Sequence, residues 1–185
     1  MARALPPRAG QGHTGMMTDS EPASGIQSAD PTQRAVVVGV DGSESSVKAL
    51  REGRRIAEGL GAPLEAVAVW QQGHSMYDFY QSRSGWTPEK ETEKLLTDAA
   101  EAAFGQDQPA RFTKTVLQGP PTKALIRRSA DAEMLVLGSR GHGGFAGLLL
   151  GSVSSACVAH AKCPVLIVHN KDQVRMDAEK AAAAR

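Results

Sequence analysis

The sequence has little net charge and no long apolar run. The formal charge of the 185 residues is +1, which argues against a nucleic-acid partner recognised through bulk positive charge. No apolar run approaches the roughly eighteen residues of a membrane-spanning helix, and the N-terminus lacks the apolar core of a signal peptide. We therefore expect a cytoplasmic protein with no nucleic-acid and no membrane partner.

Cysteine is also scarce, since the chain has only Cys157 and Cys163. They are six positions apart, form no CxxC pair, and fall in a predicted helix and just before a predicted strand. We interpret both as small hydrophobic residues of the interior. His160 with Cys163 supplies half of a zinc site and the sequence offers no second half, so we predict no metal bound by side chains.

Both ends of the chain have the composition of tails. Residues 1–33 carry too few large aliphatic side chains to offset the entropy cost of ordering, which predicts a disordered N-terminal tail. A docking arm is the alternative, and Met16 and Met17 leave an internal start open. Residues 170–185 are charged and then Ala-rich, as in a C-terminal tail with a frayed helix. The folded domain is predicted at 34–169.

Five strand-like runs alternate with helix-like segments inside that domain. The first run, AVVVGV, is apolar without alternation, which is typical of a strand covered on both faces of a parallel sheet. The pattern predicts an α/β fold, an open five-stranded parallel sheet with helices on both faces. The predicted strands are Ala35–Val40, Leu64–Trp70, Arg111–Leu117, Met134–Leu137 and Pro164–Val168.

Helical periodicity predicts which side chains face the core. Ser43 and Thr87 cap the first two helices, which end before Gly61 and Gly105. Inward positions are Val47, Leu50, Ile56, Ala57 and Leu60 in the first helix, and Ala124, Leu125 and Ala130 in the helix after Pro121. Lys123, Arg127 and Arg128 are predicted to form a solvated face.

The two edge strands differ in character. The third strand alternates polar and apolar residues, as a half-exposed edge does. The fifth is wholly apolar, although it should occupy the other edge if the strand order is 3-2-1-4-5. An exposed apolar edge invites pairing, so we predict a homodimer through Pro164–Val168, with a covering C-terminal tail as the alternative.

A long connection, Gln71 to Trp86, holds four of the eight aromatic residues. It shows no clean period. A connection of this length in a compact domain is functional or mobile. Two interpretations stay open, a hydrophobic flap over the sheet edge and a lid over a ligand.

The segment from Gly138 to Ser152 reads GSRGHGGFAGLLLGS and contains six glycines. It follows the fourth strand and leads into a helix. Glycine lets backbone N–H groups approach an anion, and a helix N-terminus favours negative charge. Arg140 adds a cation, and no Asp or Glu occurs between Glu133 and Asp172. We predict a phosphate site here, against the alternative of a surface loop that uses glycine only to turn.

Asp41 follows the first strand and should face this glycine-rich loop. In open α/β sheets, ligands bind beyond the carboxyl ends of the strands where the winding reverses, here between strands one and four. Asp41 can accept a hydrogen bond from a ribose hydroxyl or hold a magnesium-bound water, or it is a turn residue before Gly42. The loop lacks GK[ST] and the first strand is followed by DGSES, so neither a Walker A loop nor a G-x-G-x-x-G fingerprint is present.

With these residues, the chain resembles the universal stress protein family. The resemblance rests on Gly138-x2-Gly141-x9-Gly151-Ser152, on Asp41, and on Cys163-Pro164 before the fifth strand. It implies a Rossmann-like fold whose five-stranded parallel sheet has the order 3-2-1-4-5, with helices on both faces. It also implies a homodimer through strand five, and bound ATP with Mg²⁺ held mainly through phosphates and water. Gly39 stands where some relatives have Pro.

The resemblance also implies a set of binding residues. Gly39, Val40 and Asp41 would line the ribose and adenine, while Val69 and Leu137 would lie beside adenine. Ribose and phosphates would be held by Gly138, Ser139, Arg140, Gly141, Gly151, Ser152, Val153 and Ser154.

Binding and hydrolysis are separate functions, because hydrolysis needs a positioned water and a base or electrophilic clamp. Asp41 is the obvious acid at the site, and His142 is read as a solvent-facing loop residue. We predict no catalytic residue and a regulatory or stress-response protein with at most slow ATP hydrolysis. The alternatives are a true ATPase or nucleotidyl-transfer enzyme, and an interaction module that binds AMP, cyclic AMP or no nucleotide.

Overall fold

The computed structural model describes residues 33–71, 87–141 and 149–169. They form one five-stranded parallel sheet. The predicted tails, most of the segment Gln71 to Trp86, and His142 lie outside the described residues. The strands are β1 (Ala35–Gly39), β2 (Leu64–Trp70), β3 (Phe112–Gln118), β4 (Ala132–Gly138) and β5 (Val165–Val168).

The strand order is β3-β2-β1-β4-β5, so the predicted topology is confirmed. The helices are α1 (Glu44–Leu60), α2 (Pro88–Phe104), α3 (Pro121–Arg128) and α4 (Ser152–His160). β1 lies at the centre, where Gly39 is in register with Val67 of β2 and Leu137 of β4. The carboxyl ends of these three strands therefore meet at one edge of the sheet.

The two faces of the sheet have separate cores because side chains alternate along each strand. Val36 and Val38 pack with α1 and α2, whereas Val37 packs on the opposite face with Leu125 of α3 and Cys157 of α4. All three valines are fully buried. The apolar run in β1 is thus explained by helices on both faces.

Helix ends follow the predicted signals. The Ser43 side chain accepts a hydrogen bond from the Ser46 N–H at the start of α1, and Thr87 caps α2 in the same way. Gly61 ends α1 with φ of 62°, a left-handed conformation that glycine adopts without steric cost.

Three predicted orientations are wrong. Leu60 is 51% exposed, and it is the last residue of α1. Ala130 is exposed and Ser129 is fully buried instead, because α3 ends at Arg128 and a 3₁₀ turn at Ser129–Asp131 changes the angular phase. Arg128 does not belong to the predicted solvated face, because its side chain pairs with a buried carboxylate on β2.

That carboxylate belongs to Glu65, which is only 7% exposed. Its Oε2 pairs with the Arg128 guanidinium at 2.5 Å, and its Oε1 accepts the Thr115 hydroxyl at 2.7 Å. The charge is therefore satisfied from both neighbouring elements, α3 and β3. Glu65 lies near the amino end of β2, so this ion pair is a structural feature away from the carboxyl ends of the strands.

Each cysteine is a free thiol, and the two differ in burial. Cys157 is fully buried in the core between the sheet and α4, and Cys163 is half-buried beside it. Burial raises the pKa of the Cys157 thiol and also the pKa of the Cys163 thiol. Both groups therefore favour the neutral form, as expected of residues used for packing.

Candidate functional site

A cavity of about 550 Å³ opens at the carboxyl ends of the central strands. It is the size of a small-molecule site, for which about 300–1,000 Å³ is usual. Its lining combines residues that are far apart in sequence, from Gly39 to Ser154. Twelve predicted site residues line it, namely Gly39, Val40, Asp41, Val69, Leu137, Gly138, Arg140, Gly141, Gly151, Ser152, Val153 and Ser154.

Ser139 is the predicted site residue that does not line the cavity. It is 5% exposed, and its N–H donates to the Val168 carbonyl at 2.9 Å. Ser139 therefore anchors the start of the glycine-rich loop to β5. Its contribution to the site is made through its carbonyl oxygen, described below.

One side of the cavity is apolar. Val69 and Leu137 lie at the ends of β2 and β4, as the strand order requires. Eight more residues line the cavity that are not among the predicted site residues. Val67 and Ala68 directly precede Val69 in β2, so their place in the strand could have indicated them. Most of the others come from helices whose packing against the sheet the sequence does not reveal. The residues that sequence reasoning missed are Ser46, Val67, Ala68, Thr92, Leu95, Pro121, Leu125 and Leu150.

Asp41 is held by the turn that follows β1. Its Oδ1 accepts hydrogen bonds from the Ser43 N–H at 3.1 Å and the Ser43 hydroxyl at 2.6 Å. Gly42 within this turn has φ of 80°, a region that favours glycine. The other oxygen, Oδ2, lies directly against Gly141, which also lines the cavity. The turn therefore fixes which carboxylate oxygen is presented to the loop.

The carbonyl of Ser139 joins the two glycine-containing segments. It accepts the Gly151 N–H at 2.8 Å and the Ser154 hydroxyl at 3.0 Å. We call Gly138–Gly141 the first clamp and Gly151–Ser154 the second clamp. These hydrogen bonds hold the clamps together, although nine residues separate them in sequence.

The second clamp is the N-terminus of α4. Gly151 is the N-cap, with φ of −73° and no side-chain cap, and the first intrahelical bond runs from the Ser155 N–H to the Gly151 carbonyl. The N–H groups of Ser152, Val153 and Ser154 precede that bond and have no acceptor within the helix. They form a positive end that suits an anion.

The Ser154 hydroxyl is committed within the protein. Ser154 is 4% exposed, and its single hydroxyl hydrogen is shared between the carbonyl oxygens of Ser139 and Gly151, both at 3.0 Å. A hydroxyl has one hydrogen to donate. Ser154 therefore offers a ligand its backbone N–H, not its side-chain donor.

The steric surroundings differ among Gly138, Gly141 and Gly151 of the site. A Cβ at Gly138 would lie 2.9 Å from the carbonyl carbon of Ser45, so glycine is needed there for the close approach of α1. A Cβ at Gly141 would collide with Oδ2 of Asp41. At Gly151 the nearest atom would be 3.6 Å away, an ordinary contact. Of these three glycines, only Gly151 could therefore take a Cβ without a steric clash.

Asp41 and Arg140 are the charged residues on the described part of the lining. Among the residues that the structure describes, no group of three His, Cys, Asp or Glu side chains could hold a metal ion. Within those same ranges, no helix is long and apolar enough to cross a membrane. The described lining therefore combines backbone donors, the hydroxyl-bearing residues Ser46, Thr92 and Ser152, one cation and one carboxylate.

Comparison with known proteins finds one matching family. The model of the universal stress protein family matches residues 33–169. Universal stress protein Rv2005c of Mycobacterium tuberculosis is 36% identical over 154 residues, which cover 80% of this chain and 52% of the relative. The chain thus spans about half the length of the curated relatives it matches.

Two solved structures extend the comparison. Universal stress protein UspA from Lactobacillus plantarum aligns with a TM-score of 0.61 and 20% identity, covering 74% of this chain and 97% of that one. This likeness concerns the fold alone. A universal stress protein in complex with cAMP aligns with a TM-score of 0.53 and 29% identity, covering 75% of this chain and 98% of that one.

Proposed function

This chain belongs to the universal stress protein family, and from that membership we propose that it is a regulatory or stress-response protein that binds ATP. The observation that carries the proposal is the meeting of two backbone clamps and Asp41 around one cavity. The clamps supply donors for phosphates, and Asp41 supplies an acceptor for a ribose hydroxyl. A nucleotide contains both of the groups that these residues would bind, phosphates and a ribose joined to each other.

The apolar side of the cavity suits a base. Val69 and Leu137 close it from the strands, and Leu95 and Leu125 close it from α2 and α3. A flat aromatic ring gains from leaving water for such a surface. We therefore assign adenine to this side and the triphosphate to the clamps, with the ribose against Asp41.

The second clamp fits a phosphate group sterically as well as electrostatically. Gly151, which has no side chain, is the N-cap directly before three N–H groups of the α4 N-terminus, and a Cβ there would meet no atom closer than 3.6 Å. Arg140 on the first clamp adds a positive charge. A Mg²⁺ ion that accompanies ATP would be held mainly by phosphate oxygens and water, since Asp41 is the one carboxylate on the described lining.

Cyclic AMP is the second candidate ligand, because a universal stress protein 29% identical to this chain is known in complex with cAMP. The choice between the two depends on the number of phosphates. A single cyclic phosphate reaches fewer donors than a chain of three, and two clamps favour the chain. The 3′-oxygen of cAMP is also esterified, so only its 2′-hydroxyl is left to donate to Asp41.

We further propose a homodimer through β5 and slow hydrolysis at most. Val165–Val168 are apolar and only half-buried at the edge of the sheet, which a second copy would cover. On the described lining, Asp41 is the one candidate base, and its Oδ1 already accepts two hydrogen bonds from Ser43. Sedimentation velocity tests the dimer, and a phosphate-release assay tests turnover.

The central experiment is calorimetry on nucleotide-free protein. ATP, ADP, AMP, cAMP, GTP and adenosine are titrated with and without Mg²⁺, and any ligand released from freshly purified protein is identified by mass spectrometry. We expect ATP to bind most tightly and GTP to bind weakly. Tighter binding of cAMP than ATP would replace the first candidate by the second. Failure of every adenine nucleotide to bind would refute the proposal.

A further inference from the structure

The peptide group between Arg140 and Gly141 is held by a side chain from another element. The carbonyl oxygen of Arg140 accepts a hydrogen bond from the hydroxyl of Ser45, which lies in the first turn of α1. Ser45 is 8% exposed and does not line the cavity, whereas Arg140 and Gly141 do. A residue outside the cavity lining therefore fixes the orientation of the Arg140–Gly141 peptide group, which belongs to the lining.

The orientation of this peptide determines what the first clamp presents. A peptide group is planar and trans, so the N–H of Gly141 points opposite to the Arg140 carbonyl. With the carbonyl turned toward Ser45, the N–H of Gly141, a residue that lines the cavity, points away from Ser45. If the carbonyl were released and the peptide rotated, the direction of this donor would reverse.

The hydrogens available leave little freedom in this arrangement. The Ser43 hydroxyl donates to Asp41 at 2.6 Å, and the Ser45 hydroxyl donates to the Arg140 carbonyl. The carboxylate of Asp41 and the carbonyl of Arg140 have no hydrogens to donate, so each hydroxyl must direct its own hydrogen to its acceptor. Neither hydroxyl therefore donates to the other, although Ser43 Oγ and Ser45 Oγ are 3.1 Å apart. The Ser43–Ser45 pair thus holds Asp41 and the first clamp from one turn of α1.

Ser154 has the corresponding place in the second clamp. Its buried hydroxyl and the Gly151 N–H both bind the Ser139 carbonyl. Loss of the hydroxyl would leave one hydrogen bond to set the spacing of the clamps.

We propose that Ser45 and Ser154 are positioning residues for phosphate binding. The Ser45 hydroxyl fixes the direction of the Gly141 N–H, and the Ser154 hydroxyl fixes the separation between the two clamps. This inference rests on the proposed nucleotide binding and deepens it. It assigns the fit for phosphate to two buried hydroxyls that need not touch the ligand.

The test compares ATP with adenosine, which lacks phosphate, on the full chain. Ser45→Ala and Ser154→Ala remove one oxygen each and add no atoms. We expect each to weaken ATP binding about tenfold, the equivalent of one hydrogen bond. Adenosine binding should change less than about twofold. In ligand-free protein, the carbonyl carbon resonance of Arg140 should move in Ser45→Ala, because its donor is gone.

The matched control is Ser129→Ala. Ser129 is fully buried, and its hydroxyl donates to the Ile126 carbonyl at 2.7 Å and accepts the Lys162 N–H at 2.9 Å, outside the cavity lining. This variant should lose thermal stability and keep the affinities for both ligands. It separates general destabilisation from an effect on the clamps.

The outcomes distinguish the two proposals. If the parent protein binds ATP and the serine variants keep its ratio of ATP to adenosine affinity, the positioning role is wrong and nucleotide binding stands. Equal losses for both ligands would likewise overturn the positioning role. If the parent binds neither ligand, the proposed function fails and the positioning role fails with it.

Discussion

Gly141 lies directly against the carboxylate of Asp41, so close that a Cβ at position 141 would collide with Oδ2. One residue ends the first clamp and the other follows β1, 100 positions earlier. The contact joins the segment after β1 to the segment after β4, at the place where the winding of the sheet reverses. Glycine at 141 therefore serves a protein contact as well as any approach to a ligand.

Gly141→Ala is expected to push the Asp41 carboxylate away from its present position. The added methyl group meets a side chain, so the turn can yield and the fold should survive. We expect ATP affinity to fall about tenfold or more, because the ribose acceptor and the first clamp are both displaced. Calorimetry measures the affinity, and circular dichroism checks the fold.

The control for this substitution is Gly59→Ala. Gly59 is exposed within α1, and a Cβ there would meet nothing within 4 Å. Alanine is favoured over glycine in a helix by about 1 kcal/mol, so this variant should be slightly stabilised and bind ATP normally. Unchanged affinity in Gly141→Ala would show that the contact with Asp41 has no bearing on the site.

Gly151→Ala tests the ligand more directly. The position has φ of −73°, which alanine adopts freely, and the nearest atom to a new Cβ is 3.6 Å away. The unfolding temperature should therefore stay close to that of the parent. ATP affinity should fall about tenfold, since the methyl group enters the space next to the α4 N–H groups.

The result that counts against this prediction is full affinity with an intact fold. A phosphate could then not be bound against Gly151. Gly59→Ala again supplies the comparison for an added methyl group. Binding of adenosine, which should be unaffected, confirms that the base side of the cavity is preserved.

The parallel α/β architecture is predictable because it depends on local patterns. Each strand is a short run, each helix has a cap or a stop, and parallel connections are short and right-handed. The alternation in β3 indicates an edge strand, whereas an apolar run alone does not fix a central position, because the apolar β5 lies at the other edge. The full strand order follows from the family resemblance. The glycine spacing after β4 then located the candidate site at the strand ends.

Contacts between distant residues were not predictable. Arg128 looked like one more cation on a polar face, since its partner Glu65 is 63 positions away. Ala130 was misplaced because a 3₁₀ turn changes the helical period. Gly138 lines the cavity, as the sequence predicts, but the sequence does not reveal that a Cβ there would also meet the backbone of Ser45. A sequence pattern records that glycine is present, and only the packing gives the reason.

Asp41→Asn is expected to reduce the selectivity for ribose over deoxyribose. The amide oxygen can replace Oδ1 as acceptor from Ser43, so the turn after β1 is preserved. The amide NH₂ then takes the place of Oδ2 and the charge is lost. The ratio of dATP to ATP dissociation constants should approach one in the variant. An unchanged ratio would exclude Asp41 as the ribose acceptor.

Arg128→Met should strongly destabilise the fold. It leaves the carboxylate of Glu65, only 7% exposed, without its cation and with the Thr115 hydroxyl as its remaining side-chain partner among the described residues. Breaking a buried pair costs about 3 kcal/mol, reduced here because Arg128 is partly exposed. Urea denaturation measures the free energy of unfolding.

The neighbouring Arg127→Met is the control for that substitution. Arg127 is exposed on the same helix, so its replacement should change the free energy of unfolding by less than about 0.5 kcal/mol. Equal effects of the two substitutions would mean that the ion pair contributes nothing beyond surface charge. Replacing Glu65 by Gln in the Arg128→Met background should recover part of the loss, because the uncompensated charge is removed.

Alkaline pH should destabilise the fold partly through Cys157. Burial raises the pKa of this thiol above its ordinary value of 9.0, so near pH 9 the unfolded chain loses the proton while the folded chain retains it. The unfolded state then binds fewer protons, and stability falls as pH rises toward the folded pKa, by at most about 1.4 kcal/mol per pH unit for one group. Below pH 8 the thiol is largely neutral in both states, so it adds no pH dependence there and its burial contributes fully to stability. Cys157→Ala should therefore be less stable at neutral pH, yet lose less stability between pH 8 and 10 than the parent. Parallel curves for the two proteins in urea titrations across that range would contradict the assignment.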